Sequence, residues 1–282
     1  MTRKPFGQTA VAVPVIGQGT WDIPESGHRR AEAMRALRRG VELGMTHIDT
    51  AEMYGAGAAE EIVGEALAAV PRDSLFITTK VLPENATYKG TIAALERSLK
   101  RLRMEYVDLY LLHWAGSHPL AETMRALEDL VHQGKTRFIG VSNFDVDEVR
   151  EAESHLRKVK LASNQVLYHL AERGPEVNLL PYCRERGIAL VAYTPFGRGR
   201  VLGPDSPGKP ELERIANKHG KTARQVALNA LTRDAAVFTI PKAATVAHVE
   251  ENAGAAGWEM DAEDVAAIDA AFPVVEGPLA TL

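Results

Sequence analysis

The sequence predicts an α/β fold of the (β/α)₈, or TIM barrel, class, with a single domain over residues 1–282. Eight short runs rich in Val, Ile, Leu, Thr and Tyr recur about every 30 residues, with helical patterns between them, which is typical of parallel strands joined by crossover helices. The length suits this fold, because barrels commonly use about 250 residues. No linker rich in Pro, Gly or Ser separates one unit from the next.

The eight predicted strands are short, continuous apolar runs, as expected for strands that are covered on both faces. They are VPVIGQG (13–19), MTHIDT (45–50), LFITTK (75–80), VDLYLLH (107–113), TRFIGVS (136–142), LASNQVLY (161–168), IALVAYTPF (188–196) and VFTIPK (237–242). The segment through Val15 is predicted to form a small cap over the barrel floor.

Helical patterns occupy the intervals, and several end at a glycine, which is a common helix stop signal. The clearest predicted helices span 27–44, 87–103, 120–133 and 175–186. The stretch GRGRVLGPDSPGKP (197–210) falls within the seventh unit and is predicted to be a long loop between strand and helix, where barrels place function. The tail after Phe272 lacks a helical pattern and is expected to be a loose end.

An open, doubly wound sheet is the competing architecture. It would require a phosphate loop of the form GxGxxG after the first strand. The sequence has GQG at 17–19 followed by TWD, with no third glycine and no immediate helix. The closed barrel is therefore favoured by this absence and by the number of units.

Composition excludes several classes of function. The net charge is −4, without a basic run that would indicate nucleic-acid binding. The single cysteine, Cys183, rules out a disulfide within the chain and favours a reducing compartment. Uncharged stretches such as 109–121 are shorter than the ~20 residues that a spanning helix needs. We expect a cytoplasmic protein, monomeric because no coiled-coil heptad or long apolar surface run is present.

Four polar side chains capable of proton chemistry fall at the predicted carboxyl ends of three consecutive strands. They are Asp49, Tyr54, Lys80 and His113. Each alone has an ordinary structural interpretation: a helix cap, a turn residue, a solvated lysine and a core histidine. All four together at one rim favour an active site, because barrel enzymes have their active sites at the carboxyl ends of the strands.

These side chains fit one chemical task, the reduction of a carbonyl group. A neighbouring ammonium is expected to lower the pKa of the Tyr54 hydroxyl, and Asp49 can hold that ammonium in place. His113 can orient a carbonyl by hydrogen bonding. Such a site delivers a proton to a carbonyl oxygen but has no hydride source, so a nicotinamide cofactor is implied.

A phosphate site is indicated after the last strand. Thr245 is a plausible N-cap, so Lys242 and His248 lie at the positive end of a helix, where cations are disfavoured unless an anion binds. Barrels often bind phosphate near strands seven and eight. Two solvated basic side chains are the alternative interpretation.

Eight motifs, in this order and spacing, carry a resemblance to a known family. They are GQGTW (17–21), HIDTAEMYG (47–55), TTK (78–80), LYLLHW (109–114), GVSNF (140–144), NQVLYH (164–169), YTPFGRG (193–199) and IPKAATVAHVEEN (240–252). The sequence resembles the aldo-keto reductases over essentially its whole length. Within that family it is most similar to short bacterial members that reduce methylglyoxal and related small aldehydes.

The resemblance implies roles for individual residues. Asp49, Tyr54, Lys80 and His113 would form a catalytic tetrad with Tyr54 as proton donor. The substrate pocket would be lined by Trp21, Tyr54, His113 and Trp114, although core filling is the ordinary role of the tryptophans. Cofactor contacts would come from Gly19, Thr20, Trp21, Asp49, Ser142, Asn143, Gln165, Tyr193, Thr194, Pro195, Phe196, Gly197, Ile240, Pro241, Lys242, Ala243, Thr245, His248, Glu251 and Asn252.

Within that cofactor set, the resemblance assigns Ser142, Asn143 and Gln165 to the nicotinamide carboxamide. Tyr193 would stack on the nicotinamide ring.

The implied cofactor is NADPH, with the loop around Lys242 on its 2′-phosphate and with Glu251 and Asn252 on its adenine. Two positions depart from the family pattern, because Ala243 replaces a common serine and His248 a common arginine. A permanently charged, two-pronged contact is thereby missing, so NADH is expected as a second accepted cofactor. No metal site is expected, since the histidines lack HxxxH or HExxH spacing and Cys183 has no CxxC partner.

The sequence therefore predicts an NAD(P)H-dependent enzyme that reduces small aldehydes or ketones, such as methylglyoxal, to alcohols. Two alternatives remain open at this point. One is a regulatory protein that senses nucleotide on the same fold without catalysis. The other is an aldolase that uses Lys80 as a Schiff-base nucleophile, which would leave the nicotinamide loop unused.

Overall fold

The computed structural model describes residues 1–281 and shows eight parallel strands surrounded by helices. A hairpin, β1 (Arg3–Pro5) and β2 (Ala12–Pro14), precedes them. The barrel strands are β3 (Gln18–Gly19), β4 (His47–Asp49), β5 (Phe76–Val81), β6 (Val107–Leu112), β7 (Thr136–Ser142), β8 (Leu161–Leu167), β9 (Ala189–Tyr193) and β10 (Val237–Thr239). The helices are α1 (Gly27–Glu42), α2 (Ala58–Ala66), α3 (Tyr88–Leu102), α4 (Leu120–His132), α5 (Val146–Ser154), α6 (Leu179–Arg186), α7 (Lys209–His219), α8 (Ala223–Leu231), α9 (Val246–Ala253) and α10 (Ala262–Ala271).

The sheet closes on itself, which confirms the predicted barrel. Each strand from β3 to β10 pairs in parallel with the next one along the chain. Backbone hydrogen bonds then join the first strand region to the last: Gly17 N–H donates to Thr239 O at 2.8 Å, and Gly19 N–H donates to Pro241 O at 3.2 Å. A doubly wound sheet would leave both edges open.

The prediction of one continuous strand over 13–19 is wrong. The chain forms β2 and then β3, and Val15 lies where the chain changes partners. Its N–H donates to Thr2 O of the hairpin at 3.1 Å, while its carbonyl accepts from Thr239 N in the barrel at 2.9 Å. A continuous apolar run cannot reveal this change, because both partners bury the same kind of side chain.

Two other predicted strands end three residues earlier than expected. The seventh strand stops at Tyr193 because Thr194 has φ +53°, a left-handed conformation that leaves the sheet. The eighth stops at Thr239, two residues before Pro241, which has no N–H for a ladder bond. The predicted 175–186 helix likewise begins later, with a separate turn at Gly174–Glu176 preceding α6.

The N-terminal hairpin covers the floor of the barrel, as predicted. Phe6, between its two strands, is fully buried, and its ring centroid lies 4.9 Å from those of both Phe76 and Phe238. His47 packs edge-on against Phe6 at 6.0 Å and against Phe76 at 5.3 Å. Aromatic rings thus fill the end of the barrel opposite the carboxyl ends of its strands.

Three further predictions concern the last third of the chain. The long loop of the seventh unit extends to Gly208, and α7 begins at Lys209. Thr245 caps α9, because its hydroxyl accepts from His248 N–H at 3.3 Å. Residues 273–281 contain no helix or strand, and Val275 is 70% exposed. Within residues 1–281, no helix combines the length and apolarity needed to cross a bilayer.

Candidate active site

Neighbouring strands bring the four predicted tetrad residues together. Asp49 is the last residue of β4, Lys80 lies near the end of β5, and His113 directly follows β6. Tyr54 opens a short helical turn in the loop after β4. All four side chains are buried. The carboxyl ends of parallel strands lie at the same rim of a barrel. Residues at or just after the ends of neighbouring strands therefore lie close together.

Lys80 is the centre of this cluster. Its Nζ donates to Asp49 Oδ1 at 2.6 Å, to Thr50 O at 2.9 Å and to Tyr54 Oη at 3.1 Å. An ammonium has three N–H donors, so all of them are in use. The charge is therefore held in one position, directly beside the tyrosine hydroxyl.

Asp49 is itself fixed on both sides. One carboxylate oxygen accepts from Lys80, and the other, Oδ2, accepts from Gln165 Nε2 at 2.7 Å. Thr20 Oγ1 donates to the Asp49 carbonyl at 2.9 Å. The carboxylate acts as an anchor for the ammonium, and Gln165 is in direct contact with the tetrad through it.

The electrostatic balance at Tyr54 differs from the sequence-based expectation. Burial raises the pKa of the Tyr54 hydroxyl, and the opposing influence of Lys80 is smaller. For Lys80, burial favours the neutral amine, but Asp49 and Tyr54 outweigh it and raise the pKa of the ammonium. The expected lowering influence of Lys80 on the Tyr54 pKa is therefore present, but burial outweighs it, so the net shift is upward. Tyr54 keeps its proton and Lys80 keeps its charge at neutral pH.

His113 is a neutral imidazole in this site. Burial, with a further contribution from the Lys80 charge, lowers the pKa of His113 to about 2. Its ring centroid lies 5.7 Å from that of Tyr54, and its Nδ1 is buried without a hydrogen-bond partner among residues 1–281. A neutral imidazole carries one N–H, which can donate to a carbonyl oxygen but cannot supply a titratable proton at neutral pH.

The tetrad opens into a cavity of about 390 Å³, within the range of small-molecule sites. Its lining residues are Gly19, Trp21, Asp49, Met53, Tyr54, His113, Trp114, Ser142, Asn143, Gln165, Tyr193, Thr194, Pro195, Phe196, Arg198, Ile240 and Lys242. The remaining predicted cofactor residues lie outside this lining: Thr20, Gly197, Pro241, Ala243, Thr245, His248, Glu251 and Asn252.

Both predicted pocket tryptophans contact the tetrad. The Trp21 ring lies edge-on to Tyr54 with centroids 5.1 Å apart, and the Trp114 ring lies 4.8 Å from that of His113. Trp21 is 49% exposed, which is unusual for a tryptophan that only fills a core. These two indoles form an apolar mouth beside the polar tetrad.

Other lining residues contribute amide and hydroxyl groups. Asn143, with φ +61°, directly follows β7, and its Nδ2 donates to His113 O at 3.1 Å. Tyr193 donates its hydroxyl to Asn143 Oδ1 at 2.8 Å. Ser142 Oγ donates to the carbonyl of Gln165 at 2.8 Å. The structure thus brings together all four residues that the family resemblance assigned to the nicotinamide.

The loop after β10 has features that fit a nucleotide. Lys242 lines the cavity, and its Nζ makes no hydrogen bond or ion pair with residues 1–281. Asn252 is 1% exposed, and neither polar atom of its amide has a hydrogen-bond partner in that part of the chain. An orphaned buried amide is ordinarily costly, so Asn252 points to a bound group. Lys242 is exposed to solvent, and its ammonium is available to an anion at the cavity. Glu251, by contrast, accepts from Thr222 Oγ1 at 2.8 Å.

The sequence-based reasoning missed three residues near the cavity. Met53 and Arg198 line it, and the Arg224 guanidinium lies 3.8 Å from the ring centroid of Phe196. Arg198 had a detectable signal, because it falls within the YTPFGRG motif. Arg224 had none, since its helix meets the Phe196 loop only in the folded chain.

The barrel and its buried Asp–Tyr–Lys–His cluster define a class of protein. Residues 15–272 match the model of the Aldo/keto reductase family, and the chain belongs to that family. It is 43% identical over 270 residues to methylglyoxal reductase YeaE of Escherichia coli (strain K12), covering 96% of this chain and 95% of that protein. It is 38% identical over 262 residues to glyoxal reductase of Bacillus subtilis (strain 168), covering 92% of this chain and 89% of that protein.

Solved structures agree with this assignment. An aldo/keto reductase from Klebsiella pneumoniae, in complex with NADP and acetate, superposes with a TM-score of 0.92 at 38% identity, over 100% of both chains. A second structure from the same organism, in complex with NADPH, gives a TM-score of 0.90 at 39% identity, also over 100% of both chains. The chain is an oxidoreductase of the aldo/keto reductase family, as the sequence predicted.

Proposed function

We propose that the protein reduces the carbonyl group of small aldehydes or ketones to an alcohol, with methylglyoxal as the leading candidate and NADPH as reductant. The observation that carries this proposal is the hydrogen bond from the Lys80 ammonium to the protonated Tyr54 hydroxyl, beside neutral His113. The names of the two bacterial relatives support the substrate class, and the NADP and NADPH complexes of the Klebsiella pneumoniae enzymes support the cofactor.

The cavity wall suits a nicotinamide nucleotide. Ser142, Asn143 and Gln165 would hold the carboxamide, and Tyr193 would lie against the ring. Lys242 and the first turn of α9 would take the adenosine 2′-phosphate. The buried, unpaired amide of Asn252, near the other end of α9, would hydrogen-bond the adenine. When bound, the reduced nicotinamide supplies the hydride.

Tyr54 is the proposed proton donor. As negative charge develops on the carbonyl oxygen, the Tyr54 O–H transfers its proton to that oxygen and becomes a phenolate. Lys80, 3.1 Å away, stabilises this phenolate because its charge is already in place and unhydrated. Asp49 keeps the ammonium from moving, since it holds Lys80 at 2.6 Å. The hydride and the proton together convert the carbonyl group into an alcohol.

His113 is proposed to position the substrate. A histidine whose pKa lies at about 2 has no spare proton at neutral pH, so it cannot replace Tyr54 as the acid. Its single N–H can donate to the carbonyl oxygen and fix the direction from which that oxygen meets Tyr54. Trp21 and Trp114 flank the site and suit a small, partly apolar substrate.

The cofactor preference follows from the loop after β10. Lys242 supports binding of a 2′-phosphate, and His248 at the start of α9 adds a second donor. The missing arginine at 248 supports acceptance of NADH at lower affinity.

The Schiff-base alternative has the wrong geometry and charge. A nucleophilic amine must be neutral and free, whereas Lys80 is fully buried, uses all three donors and has a raised pKa. The complete tetrad and its open cavity likewise argue against a purely sensory protein.

Steady-state assays with the purified protein test the proposal. Methylglyoxal should cause loss of reduced-nicotinamide absorbance, faster at limiting cofactor concentration with NADPH than with NADH. A panel of small aldehydes and ketones then ranks substrates by kcat/KM. No turnover with any member of the panel and either cofactor would contradict the proposed function.

A further inference from the structure

The surface beside Phe196 contains a cation that is outside the tetrad and outside the loop after β10. Arg224 lies in the first turn of α8, and its guanidinium stacks on the Phe196 ring at 3.8 Å. Arg224 Nε lies 3.3 Å from Glu251 Oε2 of α9. Phe196 itself lines the cavity together with Lys242. The guanidinium is therefore positioned by one ring and one carboxylate at the edge of the cavity.

The contact with Glu251 leaves most of the guanidinium available. The 3.3 Å contact from Nε is an ion pair rather than a hydrogen bond, and neither terminal nitrogen of Arg224 makes a hydrogen bond with residues 1–281. The side chain is 36% exposed, so these nitrogens can be reached. Glu251 is held in turn by the hydroxyl of Thr222, which fixes the carboxylate independently of Arg224.

We propose that Arg224 binds the 2′-phosphate of the dinucleotide and is a determinant of NADPH preference, an assignment that rests on the proposed function. Arginine presents a planar fork of donors that matches a phosphate with two parallel hydrogen bonds. Stacking on Phe196 restricts the plane of that fork, so less conformational entropy is lost when the phosphate binds. His248, in the adjacent helix, has no such fork.

The surrounding charges favour an anion at this place. Lys242 has no acidic partner among residues 1–281, and Glu251 is the single carboxylate within ion-pair distance of Arg224 in that part of the chain. A phosphate dianion bound at Lys242 would supply the acidic partner that this lysine lacks. Asn252 directly follows Glu251, the ion-pair partner of Arg224. Its buried amide has no hydrogen-bond partner among residues 1–281, so a bound ligand could satisfy it.

A merely structural role for Arg224 makes a different prediction. If the guanidinium only holds Glu251 for contact with adenine, its loss must weaken NADP⁺ and NAD⁺ equally, because both carry adenine. If it binds the 2′-phosphate, only ligands with that phosphate lose affinity. The ratio of the two dissociation constants separates these roles.

Calorimetric titration of the full chain with NADP⁺, NAD⁺, 2′,5′-ADP and AMP measures that ratio. Arg224→Gln should weaken NADP⁺ and 2′,5′-ADP by about 10- to 100-fold, the scale of charge-assisted hydrogen bonds, and change NAD⁺ and AMP by less than about 3-fold. Arg224→Lys, which keeps the charge but not the fork, should fall between. Arg35→Gln, on an exposed position of α1, is the matched control and should match wild type.

Two results would overturn the inference while leaving the proposed function intact. One is an unchanged NADP⁺ affinity in folded Arg224→Gln and Arg224→Lys, checked by thermal unfolding. The other is an equal loss for NADP⁺ and NAD⁺. Wild-type protein that binds neither dinucleotide would remove the proposed function first, and the inference with it.

Discussion

Lys80 is a buried lysine whose positive charge is stabilised by its neighbours. It is fully buried, yet it remains charged because Asp49, Thr50 and Tyr54 take its three donors. Burial alone would favour the neutral amine, and the nearby carboxylate reverses that outcome. The same ammonium therefore neutralises Asp49 and remains close enough to stabilise a Tyr54 phenolate.

Removing the Tyr54 hydroxyl tests its role as the acid. Tyr54→Phe should lower kcat by about 10²- to 10⁴-fold, because the developing alkoxide loses its proton donor. The dissociation constant for NADPH should stay within about 2-fold of wild type. Near-normal turnover of methylglyoxal by this variant would remove Tyr54 from the mechanism.

Separate substitutions rank Lys80 and Asp49. Lys80→Met removes the charge beside Tyr54 and should lower kcat at neutral pH by at least about 100-fold. Asp49→Asn leaves the ammonium beside the hydroxyl but less well held, so we expect a loss about ten times smaller. Thermal unfolding of both variants controls for the buried charge that each change leaves without its partner. A greater loss of kcat in Asp49→Asn than in Lys80→Met would contradict the proposed ranking of Lys80 above Asp49.

At the scale of elements, the helices pack so closely that one glycine is required between two of them. Gly64 lies within α2, and a Cβ added there would meet the backbone carbonyl oxygens of Leu102 at 2.5 Å and Arg101 at 2.7 Å on the neighbouring chain segment. Backbone atoms cannot move aside as a flexible side chain can. The absence of a side chain at Gly64 therefore sets the distance between α2 and the end of α3.

Gly64→Ala should accordingly destabilise the protein, against its intrinsic helix preference. In an open helix this change stabilises by about 0.5–1 kcal/mol. Here overpacking should reverse the sign and cost about 1–3 kcal/mol. Chemical denaturation measures the difference, and Gly277→Ala is the control, because nothing lies within 4 Å of its added Cβ. A stabilised Gly64→Ala variant would show that the two segments can separate freely.

For the whole molecule, buried histidines link stability to pH. Burial lowers the pKa of His47 to about 3, of His113 to about 2 and of His169 to about 4, with a smaller contribution from nearby positive charge in each case. In the unfolded chain these groups take up protons below a pH of about 6.5, whereas the folded chain keeps them neutral. The unfolded state then binds more protons, so the free energy of unfolding falls as the pH falls below about 6.5.

We expect acidification from pH 7 to pH 5 to lower the free energy of unfolding by about 1–2 kcal/mol for each such histidine. In the His47→Gln variant, this loss of unfolding free energy should be smaller by the contribution of one histidine. The difference does not depend on how stable the variant is at pH 7. Urea unfolding of both proteins at the two pH values measures the difference. Equal losses in wild type and variant would show that His47 already titrates in the folded protein.

The sequence by itself predicted the barrel, the cap over its floor and which four polar side chains meet at the rim. Apolar runs with helices between them are local patterns, and parallel connection forces every strand to end at one rim. Asp49, Lys80 and His113 were therefore predictable as neighbours although more than 60 positions separate the first from the last. The Thr245 cap was predictable for the same reason, because a cap depends on residues within one turn.

Only the tertiary structure decided the rest. Whether Tyr54 has a raised or lowered pKa depends on the balance between burial and the distance to Lys80, and neither quantity exists in a linear chain. Val15 changes partners from hairpin to barrel, and Arg224 stacks on Phe196, because closing the barrel brings distant segments together. Local patterns decide which elements form, whereas through-space distance and exclusion of water decide the chemistry of the site.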